Sequence, residues 1–283
     1  MNAIEVSGLC KSYPDFELRG VSFVLPEGSI LGLAGENGAG KSTTIKLIMN
    51  AIERGDGTVT VLGVDNRAKE FTDLKNDIGV VLDEAYFPAV LTTKKVCAVM
   101  RNTYKNWSDE VFWDYIKRFS LPRDKKFKEF SRGMKMKLAI AVALSHDPKL
   151  LILDEATGGL DPVARDEILD IFEDFTRDEH HSILFSSHIV SDMEKLCDYF
   201  AFIHKGKLVL FDEKDKILSD YAVLKLPKAK LEEIPKEAVH GVKETPYGVE
   251  ALVEREKLSP EFSFEHTTLE DVILFLAKEK TRR

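Results

Sequence analysis

Cysteine is scarce in this chain, and positive charge is outweighed. Cys10, Cys97 and Cys197 are far apart and odd in number, so they supply neither a disulfide framework nor zinc-ligand spacing and fit a reducing, cytosolic compartment. Lys and Arg total 40 against 48 Asp and Glu, a formal charge of −8. A broad nucleic-acid face needs clustered Lys and Arg, so nucleic acid is not the expected partner. No segment approaches the roughly 20 consecutive apolar residues of a membrane span. The best runs, such as Ala139 to Leu144, are far shorter, so any membrane role must come through a partner. The opening MNAIEVSGL lacks the basic segment and apolar run of a secretory signal. Low-complexity stretches, internal repeats and coiled-coil heptads are also missing.

What is there is an ordinary folding composition, 44% hydrophobic and 31% charged over 283 residues. That length suits one main domain with a small addition. Short apolar runs at Val59 to Leu62, Ile78 to Leu82, Leu150 to Leu153, Ile183 to Phe185 and Tyr199 to Ile203 read as buried strands. Helical patterns separate several of them, as at Ala164, Ile168, Phe172 and Phe175. The alternation predicts an α/β fold with a mostly parallel sheet. Residues from about Glu84 to His146 show helical periodicity with Trp107, Phe112, Trp113 and Tyr115, which predicts a helical subdomain inserted into a main domain of residues 1–215. Residues 216–283 read as a small α+β appendage with short strands. Its last helix is expected over Thr268 to Lys278, with Thr268 and Asp271 at capping-box spacing.

The run VSFVLP, a turn at Glu27-Gly28 and then SILGLAG predicts two strands, the second entering a glycine-rich loop. Gly35-Glu36-Asn37-Gly38-Ala39-Gly40-Lys41-Ser42 matches G-x-x-x-x-G-K-[ST], a phosphate-binding loop in its required strand-to-helix setting. Glycine lets backbone N–H groups turn toward phosphate oxygens, and the next helix directs its positive end there. Lys41 adds a mobile positive charge and Ser42 a hydroxyl for Mg²⁺, with Thr43 counted in the same ATP-binding set. Leu150 to Leu153 lead into Asp154-Glu155, an apolar strand delivering two carboxylates to the edge of a sheet. Asp154 is expected to help hold Mg²⁺, and Glu155 to orient or deprotonate the attacking water.

With these motifs in place, the chain resembles the ABC ATPases from about Ile4 to Phe211, which implies a P-loop core combining the parallel sheet with antiparallel strands. Tyr13 lies where that family stacks an aromatic residue on adenine; a core tyrosine is the alternative. Phe130-Ser131-Arg132-Gly133-Met134 aligns with the family's LSGGQ signature and matches it at Ser131 and Gly133. By resemblance these two touch the γ-phosphate of ATP held by a second subunit, which implies a head-to-tail dimer, expected to be a homodimer. Gly158-Gly159-Leu160-Asp161-Pro162 resembles the D-loop, and Ser186-Ser187-His188 the switch segment, with His188 as a catalytic candidate beside Glu155 and Lys41. The pair His180-His181 reads instead as solvated surface. Where the family usually carries a Mg²⁺-ligating glutamine, this chain has Asp83, a carboxylate able to coordinate Mg²⁺; the alternative is a plain loop acid.

Tyr86, Phe87, Pro88 and Val90 stand where the family receives a helix of the membrane-spanning permease, so they are either a docking groove or internal packing. The stretch Pro162 to Leu169, with Asp83 and the altered signature, resembles bacterial single-cassette exporters whose membrane half is a separate polypeptide. Such exporters handle peptide antibiotics, amphipathic peptides, lipids or ions. The resemblance therefore implies an ATP-hydrolysing motor, cytoplasmic and peripheral on the inner face of the cell membrane. The alternatives are a non-transport ABC-type ATPase and a regulatory ATP-binding module. One cassette without a coiled coil argues against ribosomal and chromosomal ATPases, and intact Lys41, Ser42, Asp154, Glu155 and His188 argue against a module that only binds.

Overall fold

The computed structural model of the protein describes residues 1–83, 87–259, 262, 264 and 266–278. Its first five strands are β1 (Asn2–Tyr13), β2 (Phe16–Pro26), β3 (Ile30–Ala34), β4 (Asp56–Val61) and β5 (Val64–Asp65). All but β3 join in an antiparallel sheet of order β2-β1-β4-β5. The remaining core strands are β6 (Ile78–Val81), β7 (Leu150–Asp154), β8 (Ser182–Ser187), β9 (Tyr199–His204) and β10 (Lys207–Glu213). With β3 they form a second sheet, ordered β10-β9-β3-β8-β7-β6, parallel except at β10. The expected α/β architecture with a mostly parallel sheet is present. At two predicted strand ends the chain has already turned away, since Leu62 has φ of 45° and Leu82 is exposed.

Strands β3, β7 and β8 are buried at every residue, as strands covered on both faces must be. Alternation then assigns the faces. Leu31, Leu33, Ile152, Leu184 and Ile203 pack toward α1 (Lys41–Ile48) and the antiparallel sheet. A short helix α2 (Phe71–Leu74) adds Phe71 to that layer. Ile30, Leu151, Leu153, Ile183 and Phe185 pack on the other face, with the helical stretch that follows β6 and with helices from the C-terminal half. The stretch comprises α3 (Thr93–Arg101), α4 (Asp109–Arg118) and α5 (Arg132–Leu144). Each starts at a side-chain cap: Thr92, Ser108 and Ser131 accept from the N–H three residues on, satisfying donors a helix start leaves open. Phe112, wholly buried between Trp107 and Trp113, contributes roughly 1.5–3 kcal/mol by leaving water.

After β7 come α6 (Pro162–Phe175) and α7 (Val190–Leu196). Asp161 caps α6 by accepting from the Ala164 N–H at 3.0 Å, and that bond draws the Asp161 carboxyl below its ordinary range. Helix α8 (Lys214–Asp220) spans the 215/216 junction. It leads into β11 (Tyr221–Leu226), β12 (Val239–Thr245) and β13 (Gly248–Glu254), an antiparallel sheet ordered β11-β13-β12 with its own small core around Ala222, Ala251 and Val253. The last helix, α9 (Leu269–Lys278), starts one residue later than expected, with Thr268 and Asp271 bonded to each other. It does not stay with that small core: Leu269, Val272, Phe275 and Leu276 enter the main core with Met193 and Leu196 of α7. Glu194 Oε2 also accepts from the Leu269 N–H at 3.1 Å. Among the described residues no helix is long and apolar enough to cross a membrane.

Candidate nucleotide site

The parallel pairing sets the site. Ala34 pairs with Ser187, Asp154 with Ser186 and Val81 with Leu153. Everything emerging from the C-terminal ends of β3, β8, β7 and β6 therefore meets at one edge of the sheet, where ligands of open α/β sheets bind. Those emerging segments are the glycine loop, His188, Asp154-Glu155 and Asp83.

Residues Gly35 to Gly40 turn β3 into α1. A Cβ at Gly35 would lie 2.5 Å from the Ile203 carbonyl oxygen, and Gly40 has φ of +119° beneath Leu18 and Phe16. Both positions therefore require glycine. Ala39 donates its N–H to the Glu36 carbonyl at 3.0 Å, while Glu36, Asn37 and Gly38 face solvent. Ser42 and Thr43, half-buried, occupy the first turn of α1, whose N–H groups lack intrahelical partners. Lys41 is only 5% exposed. Its Nζ donates to the carbonyls of Gly35 at 2.7 Å and Glu36 at 3.4 Å and lies 3.2 Å from Glu155 Oε1.

Asp154 is buried, and its Oδ1 accepts from Ser186 Oγ at 2.9 Å. Glu155 has φ of 53°, unusual for a residue with a side chain. Such a conformation costs on the order of 1–3 kcal/mol and persists where its surroundings enforce it. Here the Glu155 N–H donates to the Ser186 carbonyl at 2.9 Å, and its own carbonyl accepts from the Gly158 N–H at 3.0 Å. The strained backbone aims the carboxylate between Lys41 on Oε1 and His188, whose Nδ1 lies 2.6 Å from Oε2. A carboxylate only accepts, so Nδ1 carries the hydrogen and Nε2 is left at the exposed edge.

Ser42, Asp154 and Asp83 offer oxygen donors of the hard type that Mg²⁺ takes. No cluster of three metal-binding side chains occurs among the described residues. Mg²⁺ ordinarily uses one or two carboxylates and completes its shell with phosphate oxygens and water. Asp83 carries a contact the sequence did not suggest: its Oδ1 accepts from Arg132 Nη2 at 2.8 Å. The two lie 49 residues apart, and only their opposite charges hinted at a meeting. Ser186, the partner of Asp154, was likewise visible only as part of the segment containing His188.

The other expected residues are distributed around this edge. Tyr13 ends β1 with its ring 42% exposed, beside Lys11 and Phe16. It is thus free of the core, and Phe16 connects it to Gly40. Ser131 caps α5 and Gly133 sits near Leu160 of the loop after β7. Among the described residues no hydrogen bond or ion pair joins residues 130–134 to residues 35–43. Phe87 packs edge-on against Phe127, Val90 is 64% exposed and Tyr86 lies outside the described residues. His180 stays at the surface, but His181 does not: it stacks on Phe175 at 4.4 Å and donates from Nδ1 to the Phe175 carbonyl. An apolar helix end next to the turn draws its ring inward.

Comparison with known proteins matches these features. A family model described as ABC transporter covers residues 18–158. The lantibiotic transport ATP-binding protein SrtF of Streptococcus pyogenes is 36% identical over 215 residues, covering 75% of this chain and 91% of that protein. The bacitracin transport ATP-binding protein BcrA of Enterococcus faecalis is 32% identical over 209 residues, 73% of this chain and 68% of its own. Among solved structures, an ATP-binding subunit of an ABC transporter superposes with a TM-score of 0.66 at 28% identity, over 76% of this chain and 91% of that one. A dimeric ATP-binding cassette in a post-hydrolysis state, bound to ADP and Pi, shares the fold with a TM-score of 0.67 at 20% identity, over 74% and 98%. A P-loop, an acidic strand end and a histidine brought to one sheet edge, together with this kinship, show that the chain belongs to the ABC transporter ATP-binding proteins, as an ATPase subunit of a transporter.

Proposed function

We propose that two copies of this chain bind two Mg·ATP head to tail and that their closing and reopening drive a separate membrane-spanning permease in a bacterial exporter of peptide-like antibiotics. The observation that carries the reading is the convergence of Lys41, Asp154, Glu155 and His188 on one edge, with Glu155 held in its strained conformation between Lys41 and His188.

In this reading the loop N–H groups and Lys41 bind the phosphates, and Tyr13 stacks on the adenine. Ser42 and Asp154 hold the Mg²⁺, with Asp83 beside them. When bound, the ion neutralises phosphate charge as it develops. Glu155 accepts the proton of the attacking water, and His188 orients the carboxylate through Nδ1–H while presenting Nε2 toward the phosphate side. Val90 and its neighbours offer the permease a contact. Cargo is inferred from relatives named for lantibiotic and bacitracin transport.

The test is Mg²⁺-dependent phosphate release by wild type and Glu155→Gln, with mass followed by light scattering. Losing a positioned base is expected to slow release by roughly 10²- to 10⁴-fold while ATP doubles the mass of the variant. Unimpaired release by Glu155→Gln would remove Glu155 from its role, and a monomer at saturating ATP would remove the dimer. For cargo, source cells lacking the chain are expected to become more sensitive to lanthionine peptides or bacitracin; unchanged sensitivity to both rejects that cargo and leaves the motor intact.

A further inference from the structure

Asp83 and Arg132 interrupt two separate motifs, yet they meet. Asp83 follows β6 by two residues, and β6 lies beside β7, the strand that ends at Asp154. Arg132 opens α5, and its Nη2 donates to Asp83 Oδ1 at 2.8 Å. The same guanidinium covers the loop after β7: a Cβ on Gly159 would come within 3.2 Å of its Nε, Cζ and Nη1. One side chain thus joins the loop after β6, the start of the signature helix and the loop after Glu155.

We propose that Arg132 is a positioning residue that sets how available the Asp83 carboxylate is to the divalent cation of the bound nucleotide. This rests on the Mg·ATP reading above. Arg132 holds Asp83 Oδ1, so a cation taking this carboxylate would have to displace the guanidinium from that oxygen or share the carboxylate with it. The side chains are 60% and 51% exposed, and exposed ion pairs shift equilibria by only about 1.4- to 5-fold. The contact is therefore weak enough for a cation to displace, and its loss is readable without unfolding the protein. Asp83 with Arg132 also adds no net charge to the sheet edge, which an unpaired Asp83 would.

The experiment measures Mn²⁺ binding by electron paramagnetic resonance to full-length protein saturated with a non-hydrolysable ATP analogue. Arg132→Gln is expected to tighten Mn²⁺ binding by about 1.4- to 5-fold, and Arg132→Lys, which keeps the charge but loses the planar fork, to fall between. In an Asp83→Asn background the effect of Arg132→Gln should shrink to the general loss of one positive charge. Equal shifts in both backgrounds would overturn the coupling, since a double-mutant cycle reports only the pairwise part. Circular dichroism melts of each variant confirm folding. If wild type binds no Mn²⁺ with nucleotide, the Mg·ATP reading itself fails. If Mn²⁺ binds and weakens in Asp154→Asn but ignores Arg132→Gln, that reading stands and the inference falls.

Discussion

Helix α5 joins the helical stretch to the sheet at both ends, and the two joints are unlike. At its start, Arg132 reaches Asp83 through a single ion pair in solvent. Just past its end, His146 is fully buried, stacked on Tyr104 at 3.8 Å with the rings 2° from parallel. Its Nδ1 donates to the Asn76 carbonyl, 3.0 Å away in the segment before β6. Ser145 adds its carbonyl as acceptor for the Ser108 N–H at 2.7 Å, which ties in α4. Burial makes the second joint a large, all-or-none contribution. Exposure makes the first a small, adjustable one, and it is the small one that stands beside the loop after Glu155.

The contrast breaks if the joints prove equally strong. His146→Ala removes a buried ring and leaves Tyr104 without its stacking partner, and is expected to destabilise the protein by about 2–4 kcal/mol in urea unfolding. A loss under about 1 kcal/mol would mean the stack carries little. The contrast sharpens with pH. Burial holds the His146 pKa below its ordinary value, opposed in part by the bond to Asn76. A second proton would go to Nε2, a buried atom with no acceptor among the described residues. The unfolded chain therefore binds that proton more readily than the folded one. Stability from this group is complete above the unfolded pKa of about 6.5 and is lost as pH falls below it toward the folded value. In His146→Gln the slope of stability against pH between about 7 and 5 should flatten; an unchanged slope assigns the acid sensitivity elsewhere. Smallest of all, Arg132→Ala is expected to change global stability by no more than about 1 kcal/mol, and a larger loss would show that the front joint is structural.

Much of the site was legible along the chain because its chemistry is local. Gly35 to Ser42 must turn sharply between a buried strand and a helix, and Asp154-Glu155 must end an apolar strand, so spacing alone located both. The strand ends were less legible: Leu62 and Leu82 continue apolar runs but already lie outside the strands, Leu62 in a turn and Leu82 exposed, because hydropathy does not register backbone direction. Helix α9 was legible as a helix with its cap. That its apolar face enters the main core against α7 was not, since periodicity shows that a face must be covered but not by what.

By itself the sequence determined the phosphate loop, the acidic strand end, the alternation that makes the sheet parallel and the kinship those motifs carry, because each depends on residues within a few positions of one another. Tertiary structure alone decided that Glu155 is strained between Lys41 and His188, that His146 is sealed against Tyr104 and that Asp83 belongs with Arg132. Those contacts join residues dozens of positions apart, and only the register of neighbouring parallel strands and the packing of α5 bring them within bonding distance.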